Sequence, residues 1–286
     1  MLQGASWRQL VRGVYACAQL EVTDELRLAA LRLVLPKDAV ATDLTAAWLH
    51  GAWNPPSGTA LPLHFALPKG RWRPPGPAGL SHRLTWWHND VMTVQDLQVS
   101  APMRNAFELA RRACLVEAVV LIDAFAYRGL IDLPWFWAYL DAHRRWPGVR
   151  GVREAAELAT ARARSPGESR LRMIPVLGGL PPPYVNVPFL RDGVIIAYLD
   201  LWLTVKEREV GVEYDGAYHE DGAQHRADNR RENSLLGNLL RYDRFTVARH
   251  VERVRALHEM ARALGLAPPH DLERRWFADP RRPLRW

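Results

Sequence analysis

The chain has 286 residues, of which 48% are apolar and 24% are charged. At roughly 150 residues per domain this length predicts two domains, and the composition excludes an intrinsically disordered chain. No run approaches the ~18 consecutive apolar residues that a membrane-spanning helix needs. The N-terminal sequence also lacks the basic and apolar segments of a secretory signal. We therefore expect a cytoplasmic protein that does not enter a membrane.

The net charge is +7, divided as +3 over residues 1–160 and +4 over residues 161–286. A basic balance permits a polyanionic partner such as nucleic acid, but its even spread identifies no binding segment, and the arginine-rich composition is also typical of a GC-rich genome. The two cysteines, Cys17 and Cys114, are too few for a disulfide framework or a four-cysteine zinc site.

The first part of the chain predicts a domain of mixed α+β structure over residues 1–160. Helical and alternating patterns, with proline and glycine as breaks, define its elements. Helices are predicted over 23–33, 42–51, 103–127, 134–145 and 149–163, with strands over 61–67 and within 81–100 and an irregular loop over 68–79. The buried side of the long helix over 103–127 is expected to consist of Phe107, Leu109, Ala110, Cys114, Val116, Val120, Leu121 and Phe125.

The second part predicts a separate α/β domain over residues 161–286. Its first helix begins at Ser165, a typical N-cap, and Glu168 completes a capping box. The predicted order is a helix over 165–177, strands over 184–189, 193–203 and 209–215, a helix over 221–236, a strand over 239–247 and a helix over 251–266.

Three acids lie on two of these strands. A hairpin centred on residues 206–207 places Asp200 opposite Glu213, with Asp215 on the same face. Because the flanking residues are apolar, we expect these carboxylates to be partly buried, where a Mg²⁺ ion would compensate their charge. Solvated acids, or acids paired with an arginine, fit the same pattern. A one-residue slip in register would move Asp200 to the other face.

Four sequence motifs carry a resemblance to a known family. They are SPGESRLR (165–172), the aspartate-bearing strand 198–201, VEYDGxYH (212–219) and QxxxDxxR (224–231). In this order and spacing they resemble the actinobacterial domain family related to very-short-patch-repair endonucleases, which is placed in the PD-(D/E)xK nuclease superfamily. The resemblance covers about residues 160–255 and implies a restriction-endonuclease-like core: a helix, a three-stranded hairpin sheet, a helix and a strand.

The resemblance also implies roles for individual residues. Asp200 and Glu213 match the metal-binding acids, and Asp215 and His219 belong to the adjoining motif. Asp215 stands where the superfamily usually has lysine, so proton transfer would fall to His219 or to a metal-bound water. The remaining matches are Glu168, for the first-helix glutamate, and Asp228 with Arg231, for a polar pair on the following helix. For Glu168 a purely capping role stays open, and for His219 a position in an exposed turn.

The first domain has a second, fainter resemblance. The segments TAAWLHG (45–51), HFALP (64–68) and VSAPMRNAFELA (99–110) are similar to the AbiEi-type antitoxins of type IV toxin–antitoxin systems. Those proteins begin with a winged helix-turn-helix. We expect that element to be missing or truncated here, and no repressor function is transferred.

Three functions follow as hypotheses. The first is a Mg²⁺-dependent (or Mn²⁺-dependent) DNA endonuclease, in which Asp200, Glu213 and Asp215 hold the metal. Arginines on the helix after the site would contact the DNA backbone; these are Arg226, Arg230 and Arg231. The second is a catalytically inactive module that binds nucleic acid or a toxin. The third is a protein-binding adaptor that uses a surface around Trp135, Trp137 and Trp146, although core positions are expected for these tryptophans.

Overall fold

A computed structural model describes residues 6–68, 80–82, 85–86, 89–191, 193–215, 239–267 and 276. The chain divides into two compact units, Met1–Leu109 with Arg128–His143, and Ala110–Tyr127 with Arg144–Trp286. Nearly all of the loop predicted over 68–79 and the whole helix predicted over 221–236 lie outside the described residues. Among the helices that are described, none is long and apolar enough to cross a membrane.

The described chain contains both helices and strands, numbered here in chain order. The strands are β1 (Trp7–Val11), β2 (Val14–Cys17), β3 (Val40–Ala41), β4 (His64–Ala66), β5 (Leu80–His82), β6 (Val91–Val94), β7 (Leu97–Ser100), β8 (Tyr184–Arg191), β9 (Val194–Val205), β10 (Arg208–Asp215) and β11 (Leu239–Asp243). The helices are α1 (Asp24–Val34), α2 (Asp43–Leu49), α3 (Pro102–Ala110), α4 (Leu115–Tyr127), α5 (Leu133–Ala142), α6 (Val149–Leu158), α7 (Pro166–Leu177), α8 (Arg244–Ala248) and α9 (His250–Ala263). The mixed α and β content agrees with the predicted class.

The first unit is organised around a five-stranded mixed sheet with the order β5-β4-β3-β7-β6. Strand β3 lies antiparallel to β4 and parallel to β7. Strands β1 and β2 form a separate hairpin, which turns at Gly13 with a φ of +88°. The unit has its own apolar core, and the members of that core include Leu31, Ala41, Trp48, Leu61, Phe65 and Val99.

The second unit contains a four-stranded sheet with the order β11-β10-β9-β8. Strands β8, β9 and β10 are successively antiparallel, whereas β11 is parallel to β10. A tight turn joins β9 to β10 at Lys206, whose φ is +54°. Paired residues run from Val205 opposite Arg208 to Leu201 opposite Val212, which confirms the predicted register of this hairpin.

The predicted long helix over 103–127 is wrong in one respect, because it is two helices. Residues 111–114 separate α3 from α4, and the N–H of Ala113 donates to the carbonyl of Ala110 in a tight turn between them. All eight residues expected on its buried side are buried. Apolar residues recur at helical spacing both before and after the turn, so their periodicity alone did not reveal the break. The predicted stop at Gly129 agrees with its φ of +68°.

Two further expectations differ from the structure. The strand predicted over 239–247 is shorter, because the chain becomes the helix α8 from Arg244 onward. Trp135 was expected in the core but is 69% exposed. The division into compact units also differs from a boundary at residue 160, since α4 and α6 belong to the second unit.

Candidate functional site

The site begins with a carboxylate at the end of the β9–β10 ladder. Regular pairing reaches Leu201 and Val212. Beyond this point, Oδ2 of Asp200 accepts a hydrogen bond of 2.8 Å from the backbone N–H of Tyr214. The aspartate side chain therefore satisfies a backbone donor where the ladder ends. This bond holds the carboxylate in a defined orientation.

The second acid, Glu168, lies in the first turn of α7. Oγ of Ser165 accepts the N–H of Glu168 at 3.1 Å, so the predicted N-cap is confirmed. In return, Oε2 of Glu168 accepts the N–H of Arg164 at 2.9 Å and the side-chain amide of Asn186 at 2.8 Å. Asn186 also donates to the carbonyl of Arg162 at 2.7 Å. These bonds connect the start of α7 to strand β8 and fix the glutamate.

Asp200 and Glu168 influence each other electrostatically. The pKa of Asp200 is raised to about 6 in total: burial is the largest cause, the Tyr214 N–H lowers it, the negative charge of Glu168 raises it and the Arg164 charge lowers it. A carboxyl group with this pKa changes its protonation near neutral pH, unlike an ordinary aspartate. Such perturbed acids are concentrated at functional sites, although structural networks also produce them.

The SPGESRLR motif is largely explained by structural contacts. Arg170 forms a two-pronged ion pair with Glu117 of α4, with distances of 2.7 and 2.6 Å. Ser169 and Arg172 donate to Asp123, also of α4, at 2.8 and 2.9 Å. These contacts anchor α7 on α4 and so position the helix start that carries the glutamate. Sequence reasoning treated the motif as a unit and did not find these partners.

Glu213 lies on β10, one residue before Tyr214. Gly167, next to Glu168, packs so closely on the ring of Tyr214 that an added methyl group would overlap it. Helix α7 therefore covers the face of the sheet to which Tyr214 points, and Asp200 is close to the same helix start. Because successive strand residues point to opposite faces, Glu213 points to the face opposite to that of Tyr214. The regular pairs end one step before Asp200 and Glu213, so their predicted pairing stays a prediction.

An arginine accompanies Glu213 on that other face. Arg241 is its in-register neighbour on β11, and the Nη2 of Arg241 lies 3.0 Å from Oε2 of Glu213. Both side chains are mostly buried, with exposed fractions of 28% and 20%. An arginine directly after two leucines in β11 was the signal in the sequence that could have predicted this ion pair. Asp215, at the end of β10, is exposed.

The donor set can be compared with what Mg²⁺ requires. In the described part of the chain, no three histidine, cysteine or acidic side chains form a group that could hold a metal ion. Mg²⁺ usually takes one or two protein carboxylates and completes its shell with water and phosphate oxygens. Asp200 and Glu168 are a pair of this kind, since Oδ1 and Oε1 accept no hydrogen bond from any described residue. The two acids fit the ion.

The other predicted residues are placed only in part. Lys206 lies in the β9–β10 turn, as expected. The remaining candidates fall between residues 216 and 238, outside the described residues; they are His219, Arg226, Asp228, Arg230 and Arg231. Comparisons of the chain with protein-family models, with curated proteins and with solved structures found no match.

Proposed function

We propose that the protein is a Mg²⁺-dependent endonuclease that hydrolyses phosphodiester bonds of DNA, with Asp200 and Glu168 as its central acids. The observation that carries the proposal is the partly buried Asp200 carboxylate, with a pKa of about 6, beside a second carboxylate at the start of α7. Two adjacent acids repel each other, and a divalent cation removes that repulsion.

The arrangement of the second unit supports the proposal. A helix is followed by three antiparallel strands and by a further strand parallel to the third. This order is compatible with the core that the resemblance to the very-short-patch-repair-related family implies, whose second helix, over 221–236, lies outside the described residues. Among the acids of that resemblance, Glu168 on α7 acts on Asp200 on β9, since its negative charge raises the pKa of Asp200. The net charge of +7 suits a polyanionic substrate.

The chemistry divides between the ion and the chain. A bound Mg²⁺ supplies Lewis-acid polarisation of the scissile phosphate and lowers the pKa of a bound water. Asp200 and Glu168 would hold the ion. The N–H of Tyr214 orients the first carboxylate, and the N–H of Arg164 with the amide of Asn186 orients the second. In this proposal His219 accepts the proton of the attacking water, and Asp215 is a further acid that holds the metal. The arginines Arg226, Arg230 and Arg231 contact the DNA backbone.

The proposal is tested by nicking of supercoiled plasmid. We expect the wild-type protein to nick in Mg²⁺ or Mn²⁺ and to be inactive in EDTA. Asp200→Asn and Glu168→Gln should each lose at least a hundredfold in rate, because each removes a metal-binding carboxylate. Glu157→Gln, an exposed acid on α6 of the same unit, is the matched control and should cleave normally. Cleavage that persists in Asp200→Asn at the wild-type rate refutes the assignment.

A second function is favoured by the ion pair of Glu213 with Arg241. The resemblance assigns Glu213 to the metal, yet an arginine guanidinium lies 3.0 Å from its carboxylate. A fixed cation at that place competes with a divalent ion. This contact favours a nuclease-derived module that binds nucleic acid, or a toxin, without cutting. That function predicts DNA binding that weakens with salt, equal in Mg²⁺ and in EDTA, with no heat of Mn²⁺ binding in calorimetry.

A further inference from the structure

A cleft in the first unit has the chemistry of an anion-binding site. Its volume is about 360 Å³, and it is lined by β1, by the start of α1 and by the turn around residues 55–59. Two arginines, Arg8 and Arg27, contribute to the wall, with polar groups from Gln9, Ser57 and Thr59. No acidic residue is among the described residues that line it. The wall therefore presents positive charge and hydrogen-bond donors together.

Arg27 is mostly buried and incompletely paired. Its side chain is 14% exposed, and its one ion-pair contact, from Nη1 to Asp24 on the same helix, is long at 3.6 Å. That aspartate is itself 71% exposed and also accepts a hydrogen bond of 3.3 Å from the indole N–H of Trp48. The Nε of Arg27 is buried without a partner among the described residues. A buried donor on a charged group is costly to leave unsatisfied.

Arg8 supplies the second charge. It lies half-buried on β1 and makes no side-chain hydrogen bond or ion pair with any residue that the structure describes. Two guanidinium groups that line one cleft repel each other unless an anion lies between them. The planar donor fork of arginine suits the oxygens of phosphate, which accept two parallel hydrogen bonds.

We propose that this cleft binds a phosphate group, held by Arg8 and Arg27. Gln9 and Ser57 supply neutral donors to the remaining oxygens, and Thr59, whose hydroxyl donates to the Pro56 carbonyl at 2.6 Å, stabilises the turn. The same chemistry serves a free phosphate ion or the terminal phosphate of a nucleic acid strand. The site lies in the first unit and needs no metal, so it does not depend on the proposed nuclease activity.

Calorimetry of the full chain in EDTA tests the proposal. The probes are sodium phosphate and an eight-nucleotide DNA with either a 5′-phosphate or a 5′-hydroxyl, with sodium chloride at matched ionic strength as the blank. We expect saturable binding of phosphate with one site per chain. Stronger binding of the 5′-phosphorylated than of the 5′-hydroxyl strand identifies a nucleic acid end as the source, and equal binding of the two strands identifies free phosphate.

Two variants and one control connect the binding to the cleft. Arg8→Gln and Arg27→Lys should each weaken phosphate binding at least tenfold, which is about 1.4 kcal/mol. Arg27→Lys keeps the charge and the helix while it removes the planar fork. Arg32→Gln, also on α1 but outside the cleft, should bind as the wild type does. The proposal is overturned if phosphate binds no better than chloride, or if folded Arg8→Gln and Arg27→Lys proteins bind it with unchanged affinity.

Discussion

Replacing Asp200 with asparagine should stabilise the protein above neutral pH and abolish cleavage in the same variant. Folding raises the pKa of Asp200 from its usual 3.8 to about 6, chiefly by burial. The contribution of this carboxyl to stability is therefore complete below pH 3.8 and is lost as the pH rises through about 6. Asparagine carries no charge at any of these pH values and still offers an oxygen to the N–H of Tyr214.

The size of the effect follows from the two pKa values. Their difference corresponds to about 3 kcal/mol at pH 8. Because water reaches part of the carboxylate, screening reduces this figure to about 1–2 kcal/mol. For a unit of this size, each kcal/mol moves the midpoint of thermal unfolding by roughly 2–4 °C. We therefore expect Asp200→Asn to raise the midpoint by about 2–8 °C at pH 8 and to leave it nearly unchanged at pH 4.

Thermal unfolding followed by circular dichroism at pH 4 and pH 8 measures this difference. Glu157→Gln removes an exposed acid from the same unit and should change neither midpoint. Mg²⁺ should raise the midpoint of the wild type more than that of Asp200→Asn, since a ligand stabilises only the form that binds it. The reasoning is refuted if Asp200→Asn is no more stable than the wild type at pH 8.

Three further predictions concern the surroundings of this acid. Glu168→Gln should lower the pKa of Asp200 by removing a neighbouring negative charge. NMR titration of the Asp200 side-chain carboxyl carbon measures this pKa, and an unchanged value would mean that the two acids do not interact. Asp123→Ala should reduce the free energy of unfolding by about 3–5 kcal/mol, because Arg172 stays buried without its carboxylate. Urea denaturation measures the loss. Replacing Asp123 and Arg172 together by leucine should recover only part of it, because Ser169 and the N–H of Thr160 still lose their acceptor. A loss below 1 kcal/mol in Asp123→Ala would contradict the account. Gly167→Ala should reduce the free energy of unfolding by about 1–3 kcal/mol, because the added methyl group overlaps the ring of Tyr214. Gly151→Ala, whose methyl group faces open space, is the control. Equal effects of the two changes on the midpoint of thermal unfolding would contradict the prediction.

The sequence predicted what is local and missed what is distant along the chain. Period-two alternation was enough to fix the β9–β10 register, because that hairpin closes over a two-residue turn. The parallel pairing of β3 with β7 joins residues as far apart as Ala41 and Val99, and no periodicity encodes such a partner. The break between α3 and α4 was missed because the apolar period continues across it.

For the site, the residue types were predictable but their hydrogen-bond and ion-pair partners were not. Asp200 and Glu213 were expected to face each other because the hairpin register was extended by one more pair. In the structure the regular pairs end at Leu201 and Val212, and Oδ2 of Asp200 accepts the N–H of Tyr214, a contact that the sequence did not predict. The partner of Glu213 is Arg241 on β11, which pairs in parallel with β10. A parallel partner is separated along the chain by a long connection, so local patterns do not predict it.

The choice of residue at position 200 is the strongest physical argument for a functional site. An asparagine could accept the same hydrogen bond from Tyr214 without placing a charge in a partly buried position beside Glu168. The aspartate instead lowers stability at neutral pH, because its pKa is raised to about 6. A local choice that opposes stability, where a neutral near-isostere is available, is what is expected of a group that serves a reaction or a ligand. The ion pair of Glu213 with Arg241 shows no such conflict, since its charges neutralise each other. We therefore expect replacement of Asp200, more than replacement of the ion-paired Glu213, to separate function from stability.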